Sequence, residues 1–425
     1  MTSIALKPAR GWCPGARRPM QSGDGLIVRV RPRMGTLQPR ELEAIAGMAQ
    51  RHGSGLVDLT RRANIQLRGV EPENLDALWQ ELEQIGLLDD SAEAESVRNV
   101  MLSPLAGIDP HEILDVRPLA RELEERLMNE DALRLLPAKF GFILDGGGLL
   151  SLDEERADVR LKAVGAGGTA MAAIGVDRPN GPEWLGLAEP AGAAAAAIDV
   201  AHAYLAATPD ARRRMRDLSD AAWHQLRSCL GPRLAGIVAS VGKRASRPMV
   251  GKVVTGDGAI VAAGFAAPFG RLDAATLQLL ARSAASLGLY EFRLSPWRSL
   301  FIAVPCEKTA SAIIETAAGA GLIVDAADPL LLVDACPGAP SCCSTTLDTR
   351  EAARRLVPIL PQLGCRTAHV SGCAKGCARS NPADLVLVGV GDCFGVLRYD
   401  TAQGSPRTFV PPASLPELPE LLKTS

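Results

Sequence analysis

The chain has almost no net charge, no long apolar run and few histidines, and each shortage argues against a class of function. Its 46 basic and 48 acidic side chains leave a net charge of −2 over 425 residues. No global positive field is therefore available to draw nucleic acid, and any cationic function must be local. No stretch approaches the roughly twenty apolar residues of a membrane span. The longest weakly polar segment, Gly192 to Ala207, is alanine-rich, contains Asp199 and His202, and suits a buried or half-buried helix. The first twenty residues hold Pro8, Gly11, Pro14, Gly15 and Pro19 and no apolar run of signal-peptide length, so the cytoplasm is the expected compartment. The five histidines, His52, His111, His202, His224 and His369, form no H-x-D/E pair of the kind that opens an iron facial triad. No G-x-G-x-x-G follows a strand, which argues against a resident dinucleotide; Gly146-Gly-Gly148 lacks that frame and reads as a hairpin turn.

What the chain does have is cysteine in ligand spacing. Four of its ten cysteines form two pairs, Cys336-x5-Cys342 and Cys373-x3-Cys377. Both pairs lie in loop chemistry, Asp334-Ala-Cys-Pro-Gly-Ala-Pro-Ser-Cys342 and Ser371-Gly-Cys-Ala-Lys-Gly-Cys377. Such loops let thiolates converge while backbone N–H groups point at sulfur. The spacing favours a [4Fe–4S] cluster. A four-cysteine zinc site and unrelated buried thiols are the alternatives, although zinc loops usually set each pair about two to four residues apart. Cys343, Cys365 and Cys393 read as small buried hydrophobes. With these ligand pairs, a disulfide framework is not expected.

The secondary-structure pattern is duplicated. After the turn Ser22–Gly25, Leu26, Val28 and Val30 alternate with Arg29, Arg31 and Arg33 along an expected strand. A helix follows from about Pro39 to Arg51, a strand near Gly55 to Leu59, the segment Thr60-Arg-Arg-Ala-Asn-Ile-Gln-Leu-Arg68, and a helix from about Glu73 to Gln84. This is close to a ferredoxin-like unit. Gly35, Gly53, Thr60 and Gly86 recur as Gly270, Gly288, Ser295 and Gly321 at a constant interval of 235, which predicts a duplicated domain with pseudo-twofold symmetry. The same interval sets Met101 against Cys336, so the first copy has no cluster. It also sets Arg29, Arg31, Arg33, Arg61, Arg62 and Arg68 against residues that are not arginine. A solvated face would keep some arginines in both copies, so the asymmetry favours an anion site built by the first half.

The expected fold class is therefore α+β, with two ferredoxin-like units and two α/β cluster-type domains. The expected boundaries are an N-terminal arm at 1–21, the first ferredoxin-like unit at 22–92, a cluster-type domain without a cluster at 93–232, a linker at 233–256, the second ferredoxin-like unit at 257–327 and the cluster-binding domain at 328–425. Within 93–232, His111 to Met128 is expected to be mainly helical.

The cysteine pattern, with Thr60-Arg-Arg-Ala-Asn-Ile-Gln66 and Leu136-Pro-Ala-Lys-Phe-Gly141, resembles the nitrite and sulfite reductase family. That resemblance implies an internally duplicated sulfite-reductase-like fold. It places Cys336, Cys342, Cys373 and Cys377 on a [4Fe–4S] cluster, and Arg62, Arg98 and Lys139 at the active face. In the reductases the last cysteine also bridges to a sirohaem. The chain departs from their pattern at Ala138 and Gly141, where an arginine and a lysine are expected, and so lacks two small-anion contacts.

The arm Gly11-Trp-Cys-Pro-Gly15 with Pro19-Met20 and Ser22-Gly-Asp-Gly-Leu26 is similar to a branch of that family in aerobic cobalamin biosynthesis. This implies a monooxygenase that hydroxylates precorrin-3A at C20 with dioxygen and closes a lactone. Its implied cofactors are a [4Fe–4S] cluster and a mononuclear non-haem iron, for which Cys13 is a further candidate ligand. Reducing equivalents would come from NADH through a separate reductase. Precorrin-3A is a polycarboxylate, so Arg29, Arg31, Arg33, Arg62 and Arg98 are its candidate binding residues. A sirohaem-dependent sulfite or nitrite reductase is the second reading, and a non-enzymatic electron carrier the third. The carrier has no need of a polyanion cleft. No nucleic-acid or membrane partner is expected.

Overall fold

The computed structural model describes residues 13–208, 214–230, 234, 241–242 and 250–422. Helix Pro39–His52 starts where Gln38 and Glu41 form a capping box around Pro39, and it ends at Gly53. It buries Leu42, Ile45, Ala46 and Ala49. Its counterpart in the second half, Ala274–Ser286, is capped by the Asp273 carboxylate, which accepts from the Thr276 N–H at 2.7 Å. The two helices pack together in one core that joins both ferredoxin-like units. Leu42 and Leu277 are both fully buried there, and truncating either to alanine costs about 2–5 kcal/mol.

Each ferredoxin-like unit contributes a strand to the other's sheet. The first sheet runs Met20–Ser22, Gly25–Val30, Ile65–Val70, Leu56–Leu59 and then Arg271–Asp273 from the second copy. The second runs Gly251–Val254, Ile260–Ala266, Ser299–Ala303, Phe292–Leu294 and then Thr36–Leu37 from the first. Arg271 thus pairs with Asp58, and Arg293 with Thr36, at the interval of 235 found in the sequence. Backbone special positions obey the same interval: Met34 and Phe269 have φ of 53° and 54°, Ala63 and Arg298 of 51° and 60°. Local strain is duplicated along with the fold.

The two remaining sheets share one topology. Val100–Leu102, Phe142–Asp145 and Val159–Ala166 are parallel, and Thr169–Arg178 and Gly181–Ala188 add antiparallel. Val333–Ala335, Ala368–Ser371 and Ala383–Val390 are likewise parallel, followed by antiparallel Cys393–Asp400 and Thr408–Val410. The α+β duplicated fold is therefore present.

Several local expectations are corrected. Gly146–Gly148 does not turn a hairpin, because Phe142–Asp145 and Val159–Ala166 run parallel and need a crossover. The helix expected from His111 begins only at Arg117; the carboxylates of Asp109 and Asp115 accept from the N–H groups of His111 and Arg117 and hold a turn between them. The first arginine strand stops at Val30, and Arg33 lies beyond Pro32 on the short turn Arg33–Gly35. Most of the expected linker lies outside the described residues, but its end, Gly251–Val254, is a strand with Val253 fully buried. Gly11 and Trp12 of the arm also lie outside them. Among the described residues no helix is long and apolar enough to cross a membrane.

Candidate active site and cluster cradle

Two chemically different regions meet at the turn 60–64. Thr60 Oγ1 accepts from the N–H groups of Arg62 and Asn64, both at 3.2 Å. From this pinned backbone, Arg61 Nη1 donates to both carboxylate oxygens of Asp334 at 3.3 Å, two residues before Cys336. Arg62 Nη2 instead donates to the carbonyl of Lys139 at 3.0 Å.

On the Arg62 side, four cations gather around Cys13. Burial alone would raise the Cys13 thiol, but Arg29, Arg62, Lys139 and Arg31 outweigh it and hold the thiol below its ordinary value. The arm is fixed there by backbone bonds. The Arg29 N–H donates to the Gly15 carbonyl at 3.2 Å, and the N–H groups of Ala16 and Arg17 donate to the Glu95 carboxylate at 2.6 and 3.1 Å. Arg29 forks onto Gln66 Oε1 at 3.1 and 2.8 Å. Arg31 is 4 % exposed, donates from Nη1 to the Glu95 carbonyl, and has an Nε without a partner among the described residues. Burial first, then Arg29 and Arg98, push its pKa down to about 10 against the pull of Glu95. A Cβ at Gly141 would stand 3.7 Å from Arg62 Nη1, so a side chain at this position would lie against Arg62.

Arg98 and Arg33 belong to a neighbouring group. Arg98 donates to Asp89 at 3.0 and 2.7 Å and to the Arg31 carbonyl at 2.7 Å. Arg33 pairs with Asp89 at 3.1 Å. The structure thus brings Arg29, Arg31, Arg62 and Lys139 together around Cys13 and places Arg98 behind the Arg31 backbone as a buried support.

On the Arg61 side, the two cysteine loops face one another. Burial, followed by Cys336, Cys373 and Cys342, pushes the Cys377 thiol up to about 11, so all four thiols lie within electrostatic reach. Cys377 is nevertheless exposed by surface area, which places it at the rim of this group. The Gly372 N–H donates to Cys336 Sγ at 3.2 Å, and Thr349 Oγ1 donates to the Cys336 carbonyl at 2.7 Å. Gly338 has φ 63°, and a Cβ there would lie 2.5 Å from Thr349 Oγ1. Bare backbone, the Gly372 N–H aimed at sulfur and four thiols within electrostatic reach of one another suit a [4Fe–4S] cube, which takes each thiolate at a different iron. Of the remaining cysteines, Cys365 is buried, as a small hydrophobe would be, whereas Cys343 is exposed and Cys393 partly exposed.

Each loop is tied down by a buried carboxylate that the sequence reading did not single out. Asp334 receives Arg61, Arg298 Nη1 at 2.7 Å and Arg379 Nη1 at 3.1 Å. Arg298 also donates to the carbonyl of Ala378, next to Cys377, at 2.7 Å. Burial would raise the Asp334 carboxyl, but Arg298, Arg61 and Arg379 keep it below its ordinary range. Asp58 does the same for the first loop through Arg271, Arg350 and Arg68. A lone Asp inside the apolar strand Leu56–Leu59 was the available signal, since a buried carboxylate needs partners.

Among the described residues, the histidines do not form a site for the mononuclear iron. His52 and His202 bond single glutamates, Glu81 at 2.8 Å and Glu130 at 2.9 Å. His111 and His224 are exposed, and His369 is fully buried with neither ring nitrogen partnered among the described residues. Among those residues no three His, Cys, Asp or Glu side chains converge as ligands of one ion.

The chain shares its fold with the structure of Mycobacterium tuberculosis NirA protein, with a TM-score of 0.76, 21% identity and coverage of 94% of this chain and 80% of that one. The nitrite/sulfite reductase ferredoxin-like half domain matches residues 18–85, and the nitrite and sulphite reductase 4Fe-4S domain matches 93–253. The latter match falls on the copy without the four cysteines. A Mycolicibacterium paratuberculosis sulfite reductase [ferredoxin] is 26% identical over 85% of this chain and 69% of its own. Fold and site thus define a protein of the nitrite and sulfite reductase type. A precorrin-3B synthase of Sinorhizobium sp. is 33% identical over 412 residues, 94% of this chain and 85% of that protein. The chain is an enzyme that belongs to the precorrin-3B synthases of the nitrite and sulfite reductase family.

Proposed function

We propose that the chain hydroxylates precorrin-3A at C20, inserting one oxygen atom from dioxygen and closing the lactone that gives precorrin-3B. The observation that carries this reading is the turn 60–64, which sets Arg61 on the cysteine loops and Arg62 in a four-cation face. Arg29, Arg62 and Lys139 bind the polycarboxylate substrate in charge-assisted bonds, with Arg31 beneath them and Arg33 and Arg98 supporting the face. A lysine at position 141 would crowd a second charge against Arg62. Gly141 leaves room for a macrocycle instead.

Cys336, Cys342, Cys373 and Cys377 hold the [4Fe–4S] cluster, which when bound supplies electrons one at a time. Those electrons come from NADH through a separate reductase. In balance, the substrate, dioxygen, two electrons and two protons give a product heavier by one oxygen atom and one water, and the lactone closes without further oxidation as a carboxylic O–H adds across a double bond of the macrocycle. The ten free cysteines suit a reducing compartment, taken to be the cytoplasm. No step is assigned to a mononuclear iron.

Reduced protein incubated with precorrin-3A under isotopically labelled dioxygen should give a product with one labelled oxygen in the new hydroxyl. Label entering only from water, or efficient sulfite turnover with bound sirohaem, would overturn the proposal and favour the reductase reading.

A further inference from the structure

The backbone just before Cys342 is clamped by the other half of the repeat. The carbonyl of Ser341 accepts from Arg68 Nη2 at 2.6 Å, Ser22 Oγ at 2.6 Å and the Gly23 N–H at 3.3 Å. Ser341 Oγ accepts from Arg271 Nη1 at 3.1 Å. Behind these donors lies one carboxylate. Asp58 accepts from Arg271 Nε and Nη2 at 2.8 and 3.0 Å, accepts from Arg350 Nη2 at 3.2 Å, and pairs with Arg68 Nε at 3.7 Å. It is 5 % exposed.

We infer that Asp58 is a positioning residue for the cluster: it aims Arg271 and Arg68 at Ser341 and so fixes Cys342, and its charge offsets the guanidiniums gathered beside the cluster loop. This rests on the assignment of Cys342 to the cluster. Arg68, Arg271 and Arg350 bring three positive charges into a nearly water-free region, and Asp58 and Asp24 supply the opposing negative charges, Asp24 through Arg68 at 2.7 Å. Burial alone would raise the Asp58 carboxyl, yet Arg350, Arg271 and Arg68 hold it at about 2, so the charge is present at every working pH. Arg350 adds a second mark of this field. It is 8 % exposed, and its Nε and Nη1 have no partner among the described residues. It directly follows Thr349, whose hydroxyl bonds Cys336.

Removing the charge of Asp58 leaves the arginines in excess near a centre that gains an electron on reduction, and the reduced form is stabilised. Removing the charge of Arg350 does the reverse. The link runs through electrostatics, so it acts on the reduction potential even when the loop keeps its shape.

The test is an EPR-monitored redox titration of the full chain carrying Asp58→Asn, Arg350→Gln or the surface control Glu43→Gln, each with iron and labile-sulfide analysis. Asp58→Asn should shift the potential upward by about tenfold in the reduction equilibrium, about 59 mV for a one-electron couple. Arg350→Gln should shift it downward, and Glu43→Gln, whose carboxylate pairs with Arg282 at the surface, should leave it in place. If Asp58→Asn does not accumulate as folded protein, the downward shift in Arg350→Gln alone supports the charge balance. Unshifted potentials at full cluster occupancy overturn the inference while leaving the cluster assignment intact. A wild-type protein that holds no iron and sulfide overturns both.

Discussion

Arg61 and Arg62 are neighbours in the chain with separate partners, and single substitutions should separate their effects. Arg62 and Arg29 face the cation group, where a hydrogen bond to a charged ligand contributes about 1.5–3 kcal/mol. Arg29→Ala and Arg62→Ala should each weaken tetrapyrrole binding roughly ten- to hundred-fold, read by fluorescence quenching or calorimetry, with the thermal midpoint nearly unchanged. Arg31 was expected to behave alike, but it is almost wholly buried. Arg31→Ala should therefore lower stability by about 1–3 kcal/mol as well as affinity, because the buried Glu95 carbonyl loses its side-chain donor. Cys13 gives an independent reading of the same face. Its lowered thiol should be alkylated at neutral pH, and a bound polycarboxylate should slow that reaction. Equal rates with and without the ligand would separate Cys13 from the substrate face.

At the scale of elements, the strand Ala368–Ser371 carries one pH-dependent contribution to stability. His369 is buried without partners among the described residues, and burial first pushes its pKa down to about 4. The unfolded chain binds the proton near pH 6.5 and the folded chain only near 4, so the unfolded state holds more protons between those values. Stability is full above about pH 6.5 and falls as pH drops toward 4, by about 3 kcal/mol. Glu112, whose carboxyl burial pushes up to about 7, contributes with the opposite sign over this range, so the loss is read as the difference between wild type and His369→Phe in urea midpoints at pH 7 and pH 4; an unchanged slope in the variant would refute the role of His369.

Much of this scale could be read in the sequence. The helix at Pro39–His52 follows from its periodic apolar positions, and the repeat from glycines at an interval of 235. The exchanged strands Thr36–Leu37 and Arg271–Asp273 could not be read, because two- and three-residue strands carry no periodicity. The Gly146–Gly148 crossover was missed because a triple glycine serves a hairpin or a crossover equally well. The Asp58 and Asp334 groups join residues hundreds of positions apart, and local pattern does not report such contacts.

For the whole molecule, the duplication divides the labour. Both copies build the same sheet topology, but only the second has cysteines at the ends of its parallel strands, and the arginines at 29, 31, 33, 61, 62 and 68 have no arginine counterpart in it. Chemical analysis should therefore find about four iron and four sulfide per chain. Ser replacements at Cys336, Cys342, Cys373 or Cys377 should abolish both, whereas those at Cys343, Cys365 and Cys393 should not. The exchanged strands and the shared core join the two halves, and Asp58 of the first bonds both Arg271 and Arg350 of the second.

Under the proposed function the tetrapyrrole enters as substrate and is not a resident prosthetic group. The absorption spectrum of the anaerobically purified protein tests it most directly. The spectrum should show the broad visible shoulder of an iron–sulfur cluster and no intense Soret band; a strong Soret band from a tetrapyrrole that co-purifies with iron would mean a bound haem and not a substrate.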